Sequence, residues 1–132
     1  MLIHILSVVA FMVVSFAAQG LSHFVVNSDH FAAIEHLRKD PIIPLGLLAM
    51  VIQGAIMSVA LGVWREGDAT VGSGLVVAVA FGLFLIAYIS LVEPAKYTVP
   101  NIASWMRIEI IVGVAQFTVF GVLLGLIHSK FG

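Results

Sequence analysis

Residues 71–93 decide the fold of this chain, and their sequence is VGSGLVVAVAFGLFLIAYISLVE. No charged residue interrupts the run before its last position, Glu93. A helix needs about 20 consecutive apolar residues to cross a hydrocarbon core that is about 30 Å thick. The run is long enough for this, and it lacks the short alternating segments of a transmembrane β-barrel. It therefore predicts a membrane-spanning helix.

Three more apolar runs of similar length lie elsewhere in the chain, at about residues 2–26, 41–64 and 105–128. Together with residues 71–93 they predict an all-α membrane protein, a four-helix transmembrane bundle. Residues 1–132 are expected to form a single integral membrane domain. The first run has no Lys or Arg before it, unlike a signal peptide, and we expect it to remain as the first helix.

The composition agrees with this fold class and excludes others. Hydrophobic residues make up 61% of the 132 residues and charged residues 10%, whereas a soluble domain has roughly 45–50% and about 25%. The net charge of -1, with only six Lys and Arg, leaves no basic surface for nucleic acid. The absence of cysteine removes disulfides, thiol relays, Cys-ligated metals and covalently attached haem. The expected partner is therefore the lipid bilayer, and nucleic acid is not expected.

Residues with known preferences for helix ends mark the limits of these spans. Asp40 before Pro41 is expected to cap the second helix. Pro94 is expected to close the third helix, because the residue before a proline is pushed out of helical geometry. Ser104 is the expected cap of the fourth helix. Trp105 beside it is expected at the lipid headgroups, where amphipathic rings prefer to lie.

Loop 1, residues 27–40, carries a helical pattern of its own. Apolar residues recur on one side and polar or charged residues on the other: Phe31, Ile34 and Leu37 against Glu35, His36, Arg38 and Lys39. This pattern predicts a short helix that lies in the membrane interface. The alternative is an ordinary connecting helix packed against the bundle.

Small residues recur at every fourth position on three of the spans. They are Gly54, Ser58 and Gly62 on the second span, Gly74, Ala78 and Gly82 on the third, and Gly121 and Gly125 on the fourth. Such spacing lets membrane helices approach closely. The stripes either pack inside the chain or join it to others, as a homo-oligomer or as a subunit of a larger membrane complex.

Polar side chains collect toward one end of the predicted bundle, the end that carries loop 1 and loop 3 (residues 94–104). They are Gln19 and His23 on the first span, Gln53 on the second, Glu93 on the third, and Arg107, Glu109 and Gln116 on the fourth. Ionisable residues inside a span usually face the bundle interior or a water-filled cavity. We therefore predict a polar pocket open to the loop-1/loop-3 side. Its mouth would hold His23, Glu93, Arg107 and Glu109, and its floor Gln53 and Gln116.

The pocket favours a non-enzymatic small-ligand-binding or accessory membrane protein. One alternative is a small transporter or channel with Glu109 as its coupling residue. Another is a metal-dependent membrane enzyme that uses His23, Glu93 and Glu109. The polar groups could also serve only to hold the helices together, for example through a Gln53–Gln116 hydrogen bond.

Histidines and carboxylates at the same end are the candidate metal ligands: His23, His30, His36, Glu93 and Glu109. Imidazole with carboxylate suits zinc, iron or manganese, but no paired-ligand spacing occurs. No cofactor is therefore predicted, with a metal or a bis-His haem as alternatives. His4 and His128, at the other end, are expected to lie solvated among the headgroups.

Positive charge in the loops sets the expected orientation. Loops 1 and 3 and the residues beside them carry the larger share of it, with Arg38, Lys39, Lys96 and Arg107 against Arg65 and Lys130 on the other side. This places loops 1 and 3 in the cytoplasm and both termini outside, in the cytoplasmic (inner) membrane of a bacterium.

Overall fold

The computed structural model describes residues 1–34, 37–38 and 40–132, and it is helical almost throughout that part of the chain. Its α-helices, numbered in chain order, are α1 Leu2–Leu21, α2 Ser28–Ala32, α3 Ile43–Arg65, α4 Val71–Ala87, α5 Glu93–Lys96 and α6 Ile102–Phe131. Two π-helical turns, Ser22–Val26 and Tyr88–Val92, continue α1 and α4. Four segments of this part are long and apolar enough to cross a membrane: Leu2–Val26, Ile43–Arg65, Val71–Lys96 and Ile102–Phe131. The predicted all-α, four-helix membrane fold is confirmed.

The four spans form a ring in which each packs against the two beside it. The contact of α4 with α6 is the most extensive, and α1 packs on both α3 and α6. The ring is filled by a cluster of buried apolar side chains: Phe11, Met57, Leu61, Val77, Ala78, Ile86, Phe117, Phe120 and Leu124. By contrast, α3 and α4 contact each other over a much smaller surface. The ring is therefore tight on three sides and loose on the fourth.

The small-residue stripes pack inside the chain. A Cβ atom added to Gly74 would meet the backbone nitrogen of Gly125 and would lie 2.5 Å from the carbonyl oxygen of Gly121. One added to Gly54 would lie 3.2 Å from the Cα of Val8 on α1. These glycines therefore bring α4 against α6 and α3 against α1, which is the intramolecular alternative.

Two helix starts differ from the predicted ones. The helix α3 begins at Ile43 with Pro44 in its first turn, where the missing N–H of a proline has no intrahelical partner to lose. The helix thus starts after Pro41, and Ile42 occupies its N-cap position, so the prediction that Asp40 caps it is wrong. The helix α6 begins at Ile102 and is capped by Asn101, whose Oδ1 accepts from the backbone N–H of Ser104 at 3.0 Å. Ser104 thus lies in the first turn and is not the cap.

The prediction that Pro94 closes the third span is wrong, since helix continues to Lys96. In the π turn the N–H of Glu93 bonds the carbonyl oxygen of Tyr88, five residues back. The next donor in that pattern would be residue 94, which is a proline without an N–H. The carbonyl oxygen of Ile89 instead accepts from the indole Nε1 of Trp105 at 2.8 Å. The ring of Trp105 is buried, at 7% exposure, so it is not the headgroup anchor that the sequence predicts.

Loop 1 contains the short helix α2, but this helix ends at Ala32 and includes only Phe31 of the three apolar residues behind the prediction. Phe31 and Ile34 are buried in a second apolar cluster with Trp105, while Leu37 is exposed. This part of loop 1 therefore packs against the bundle, as in the alternative interpretation. The polar side chains of Glu35, His36 and Lys39 lie outside the described residues.

Candidate functional site

A polar cavity of about 240 Å³ lies inside the bundle. All four spans contribute to its lining, and its polar side chains are Ser15, Gln19, Gln53, Glu109 and Gln116. Apolar residues and two glycines complete the wall, from Gly46 near the start of α3 to Phe117 deeper in the bundle. Four of the seven residues predicted for the pocket therefore line one cavity: Gln19, Gln53, Glu109 and Gln116.

One wall of this cavity is a chain of hydrogen bonds between α1 and α6. The Nε2 of Gln116 donates to the Oγ of Ser15 at 2.9 Å. The Nε2 of Gln19 donates to the Oε1 of Gln116 at 2.8 Å. The bond to Ser15 is buried and the bond from Gln19 is partly buried, and both tie the two helices together. The Gln53–Gln116 bond of the structural alternative is not made, because the Nε2 and the Oε1 of Gln116 both bond side chains on α1.

Two further polar residues of the cavity lining, Gln53 and Glu109, take no part in this chain of hydrogen bonds. Gln53 and Glu109 are both half-buried, and neither forms a hydrogen bond or an ion pair with another described residue. Both residues line the cavity, so the amide of Gln53 offers donors and an acceptor there and the carboxylate of Glu109 offers acceptors. These two side chains can bond a guest molecule without first breaking a hydrogen bond to a described residue.

The other predicted mouth residues do not line the cavity. His23 stacks on Phe31, with ring centroids 3.7 Å apart and planes at 16°, and its Nδ1–H donates to the carbonyl oxygen of Gln19 at 2.9 Å. Glu93 is half-buried near the end of the third span. Arg107 is exposed and forms no ion pair within the described part of the chain.

His23, His30, Phe31 and Trp105 form an aromatic cluster at the loop-1/loop-3 end. The rings of His30 and Trp105 have centroids 6.1 Å apart, and the Nε2 of His30 is buried without a hydrogen-bond partner among the described residues. Burial and the nearby His23 lower the pKa of His30. The cluster adjoins the cavity, because Trp105 bonds the carbonyl oxygen of Ile89 and Ile89 lines the cavity wall.

The candidate metal ligands do not come together. Among the described residues no group of three His, Asp or Glu side chains is placed to hold a metal ion, and this includes His23, His30, Glu93 and Glu109. His36, the remaining candidate, lies outside the described residues. The described residues therefore do not provide the group of ligands that the metal-dependent alternative requires.

A second polar cluster at the opposite end of the bundle joins three helices. The Oγ of Ser58 on α3 bonds the Nδ1 of His4 on α1 at 2.8 Å and the Nε2 of His128 on α6 at 2.9 Å. Because Ser58 has one hydroxyl hydrogen, it donates to one imidazole and accepts from the other. His128 is only 3% exposed, so its predicted place among the headgroups is wrong. In the sequence, the feature that points to this cluster is Ser58, the one polar side chain in the small-residue stripe Gly54, Ser58 and Gly62.

Aromatic rings close the bundle between the two polar clusters. Phe11 packs on Phe120 with ring centroids 4.9 Å apart and on Phe117 at 5.7 Å. Phe11 and Phe120 are fully buried. A polar route from the cavity to the other end of the chain would have to pass these rings, so a pore through one copy of the chain is not supported.

An apolar groove of about 470 Å³ lies beside the polar cavity, on the loose side of the ring between α3 and α4. Apart from Gln53 its lining is apolar: Ile56, Met57, Ala80, Phe81, Phe84, Leu85 and Phe117. Gln53, Leu85 and Phe117 line the cavity as well. Cavity and groove therefore adjoin each other along these three side chains.

The cavity and the groove are the two features from which a function can be argued. No family model matches the chain, and neither does a curated protein or a solved structure.

Proposed function

We propose that this multi-pass membrane protein is a non-enzymatic protein that binds a small ligand in the polar cavity, reached from the loop-1/loop-3 side. One observation carries the proposal: Gln53 and Glu109 face the cavity with no partner among the described residues, while Gln19 and Gln116 beside them are hydrogen-bonded. Unpaired polar groups are costly inside a membrane, and ionisable ones there usually mark a binding site or a pathway. A bound ligand would supply the missing partners.

The chemistry of the lining supports binding over catalysis. Within the described chain the cavity wall holds one hydroxyl, three carboxamides and one carboxylate, and no imidazole. The hydroxyl, on Ser15, accepts from the amide of Gln116, and activation of a serine requires an adjacent general base. These groups can orient a ligand and pair with its charge.

The stability of three variants distinguishes a ligand-binding role of the cavity residues from a purely structural one. Gln53→Leu and Glu109→Gln are expected to leave the free energy of unfolding nearly unchanged, because these side chains bond no other described residue. Gln116→Leu breaks two interhelical hydrogen bonds and is expected to cost about 1 kcal/mol, since such bonds average about 0.6 kcal/mol each in membranes. Unfolding in detergent micelles measures all three. Equal losses in the three variants would favour a structural role.

Binding itself is tested on the same variants by native mass spectrometry of protein released from membranes. The wild-type chain is expected to carry a bound small molecule, and Gln53→Leu and Glu109→Gln are expected to lower its occupancy about tenfold, the equivalent of one charge-assisted hydrogen bond. Glu66→Gln is the matched control, because Glu66 is exposed at the loop-2 end. A wild-type chain without bound mass, or unchanged occupancy in both variants, would contradict the proposal.

We further propose that the chain lies in the cytoplasmic membrane of a bacterium with loops 1 and 3 in the cytoplasm. The support is the larger share of Lys and Arg at that end of the bundle. Since the chain has no cysteine, Lys96→Cys and Lys130→Cys each introduce a single thiol, on opposite sides. A membrane-impermeant maleimide added to intact cells is expected to label the second variant and spare the first. The reverse pattern would invert the orientation.

A further inference from the structure

The polar cavity and the apolar groove adjoin each other. They meet at Gln53, Leu85 and Phe117. The groove lies where α3 and α4 contact each other little, and its flank residue Phe84 is 82% exposed. In a bilayer this flank faces the acyl chains of the lipids. A ligand with a polar head and an apolar tail could therefore place its head in the cavity and its tail in the groove, beside the lipid.

The unused polar groups of the cavity set the chemistry of that head. The Nε2 of Gln19 and the Nε2 of Gln116 each donate one hydrogen bond within the protein, and the amide of Gln53 has donors that bond no described residue. The amide oxygen of Gln53 and the carboxylate of Glu109 bond no other described residue, and no Lys, Arg or His among the described residues lines the cavity or the groove. The site thus offers both amide donors and acceptors, and it carries one acidic group without a cationic neighbour among the described residues of its wall.

We propose that the ligand of this site is an amphiphilic amine with a single apolar chain. This rests on the proposed function of the cavity. An ammonium group has three N–H donors and no acceptor, which matches a carboxylate and amide oxygens that only accept. Its charge pairs with Glu109 in a setting where an isolated charge is costly. Its chain replaces lipid in the groove beside Phe81 and Phe84.

Other amphiphiles fit the cavity less well. A fatty acid would bring a second carboxylate beside Glu109, and like charges at short range repel strongly in a low dielectric. A fatty alcohol would bond the amide of Gln53 but leave Glu109 without a counter-charge. Comparison of an amine with an alcohol on the same chain therefore isolates the charge of the head.

The test uses the full chain in nanodiscs of zwitterionic phosphatidylcholine, so that lipid charge does not attract the amine. Dodecylamine and dodecanol, each with a photoreactive diazirine on the chain, are crosslinked, and their affinities are expressed against the membrane concentration of each probe. The amine is expected to bind about tenfold more tightly than the alcohol, with crosslinks on the groove residues of α3 and α4. Glu109→Gln is expected to abolish this preference, and Glu66→Gln to retain it.

A second pair of variants tests the groove. Ala80→Phe places a ring in the groove lining and is expected to lower the crosslinking of both probes about tenfold, through the steric exclusion of their chains. Ala87→Phe is the matched control, because Ala87 is exposed on the same helix and does not line the groove. Unchanged crosslinking in Ala80→Phe would overturn the placement of the chain.

The outcomes distinguish this inference from the proposed function. Equal binding of dodecanol and dodecylamine would overturn the amine head and leave the cavity as a ligand site. Failure of both probes to bind, with the bound mass of the wild-type chain still lost in Glu109→Gln, would overturn the amphiphile and leave a small polar ligand. Failure of both probes together with a wild-type chain that carries no bound mass would contradict both proposals.

Discussion

Gly74→Ala is expected to destabilise the bundle by about 3 kcal/mol or more, the upper range for an overpacked interior. The added methyl group would meet backbone atoms of Gly121 and Gly125 on α6. Backbone cannot rotate away as a side chain can, so the two helices would have to separate. Because α4 and α6 share the most extensive contact in the bundle, their separation would disturb every layer of the core.

Gly72→Ala is the matched control for this substitution. A Cβ at Gly72 would meet only the Oγ1 of Thr70, at an ordinary 3.6 Å, and alanine is the better helix former by about 1 kcal/mol. Gly72→Ala is therefore expected to be neutral or slightly stabilising. Unfolding of both variants in detergent micelles, at several protein concentrations, measures the difference. A Gly74→Ala loss that vanished on dilution would instead point to packing between chains.

The sequence predicts close packing at these glycines but not the partner helix. The spacing of Gly121 and Gly125 is equally suited to a neighbour in the same chain and to a second protomer. The choice depends on how α6 is rotated in the bundle, and hydropathy carries little of that information when most faces of a helix are apolar. The structure places Gly125 against Thr70 and Val71, where α4 begins.

The cavity shows the same division between what can and cannot be predicted. The spacing of Glu109, Gly113 and Gln116 places them on one face of a regular helix. All three line the cavity. Gln19 and His23 are four residues apart and would share one face of a regular α-helix, but His23 lies in the π turn Ser22–Val26. A π turn holds more residues than an α turn and so rotates the following side chains. Single-sequence patterns do not mark such a turn.

The residues at the α4–α6 contact differ in size from those that line the groove between α3 and α4. Glycines let α4 approach α6 closely, whereas the lining of the groove includes the bulky side chains of Ile56, Phe81 and Phe84. The α4–α6 contact therefore positions the wall behind the cavity, while the α3–α4 side remains accessible to lipid. Loss of the Gly74 contact is expected to alter the cavity as well as the stability.

Trp105→Phe is expected to destabilise the chain by about 2 kcal/mol beyond the loss of packing, because it removes the donor to the carbonyl oxygen of Ile89. An unsatisfied backbone group in a membrane costs several kcal/mol when no other partner is available. Pro94 cannot supply an N–H, so the backbone offers no replacement in the π pattern. Since Ile89 lines the cavity, this bond also holds part of the binding site in place.

Pro94→Ala tests this explanation, because it restores an N–H at the position that the π pattern would pair with Ile89. In the Pro94→Ala background, Trp105→Phe is expected to lose only the packing of the indole ring. The double-mutant cycle removes that packing loss, which is common to both backgrounds, and should leave a coupling of about 1–2 kcal/mol. Equal costs of Trp105→Phe in the two backgrounds would mean that the indole N–H is not what stabilises the π turn, and that Trp105 contributes through its buried ring alone.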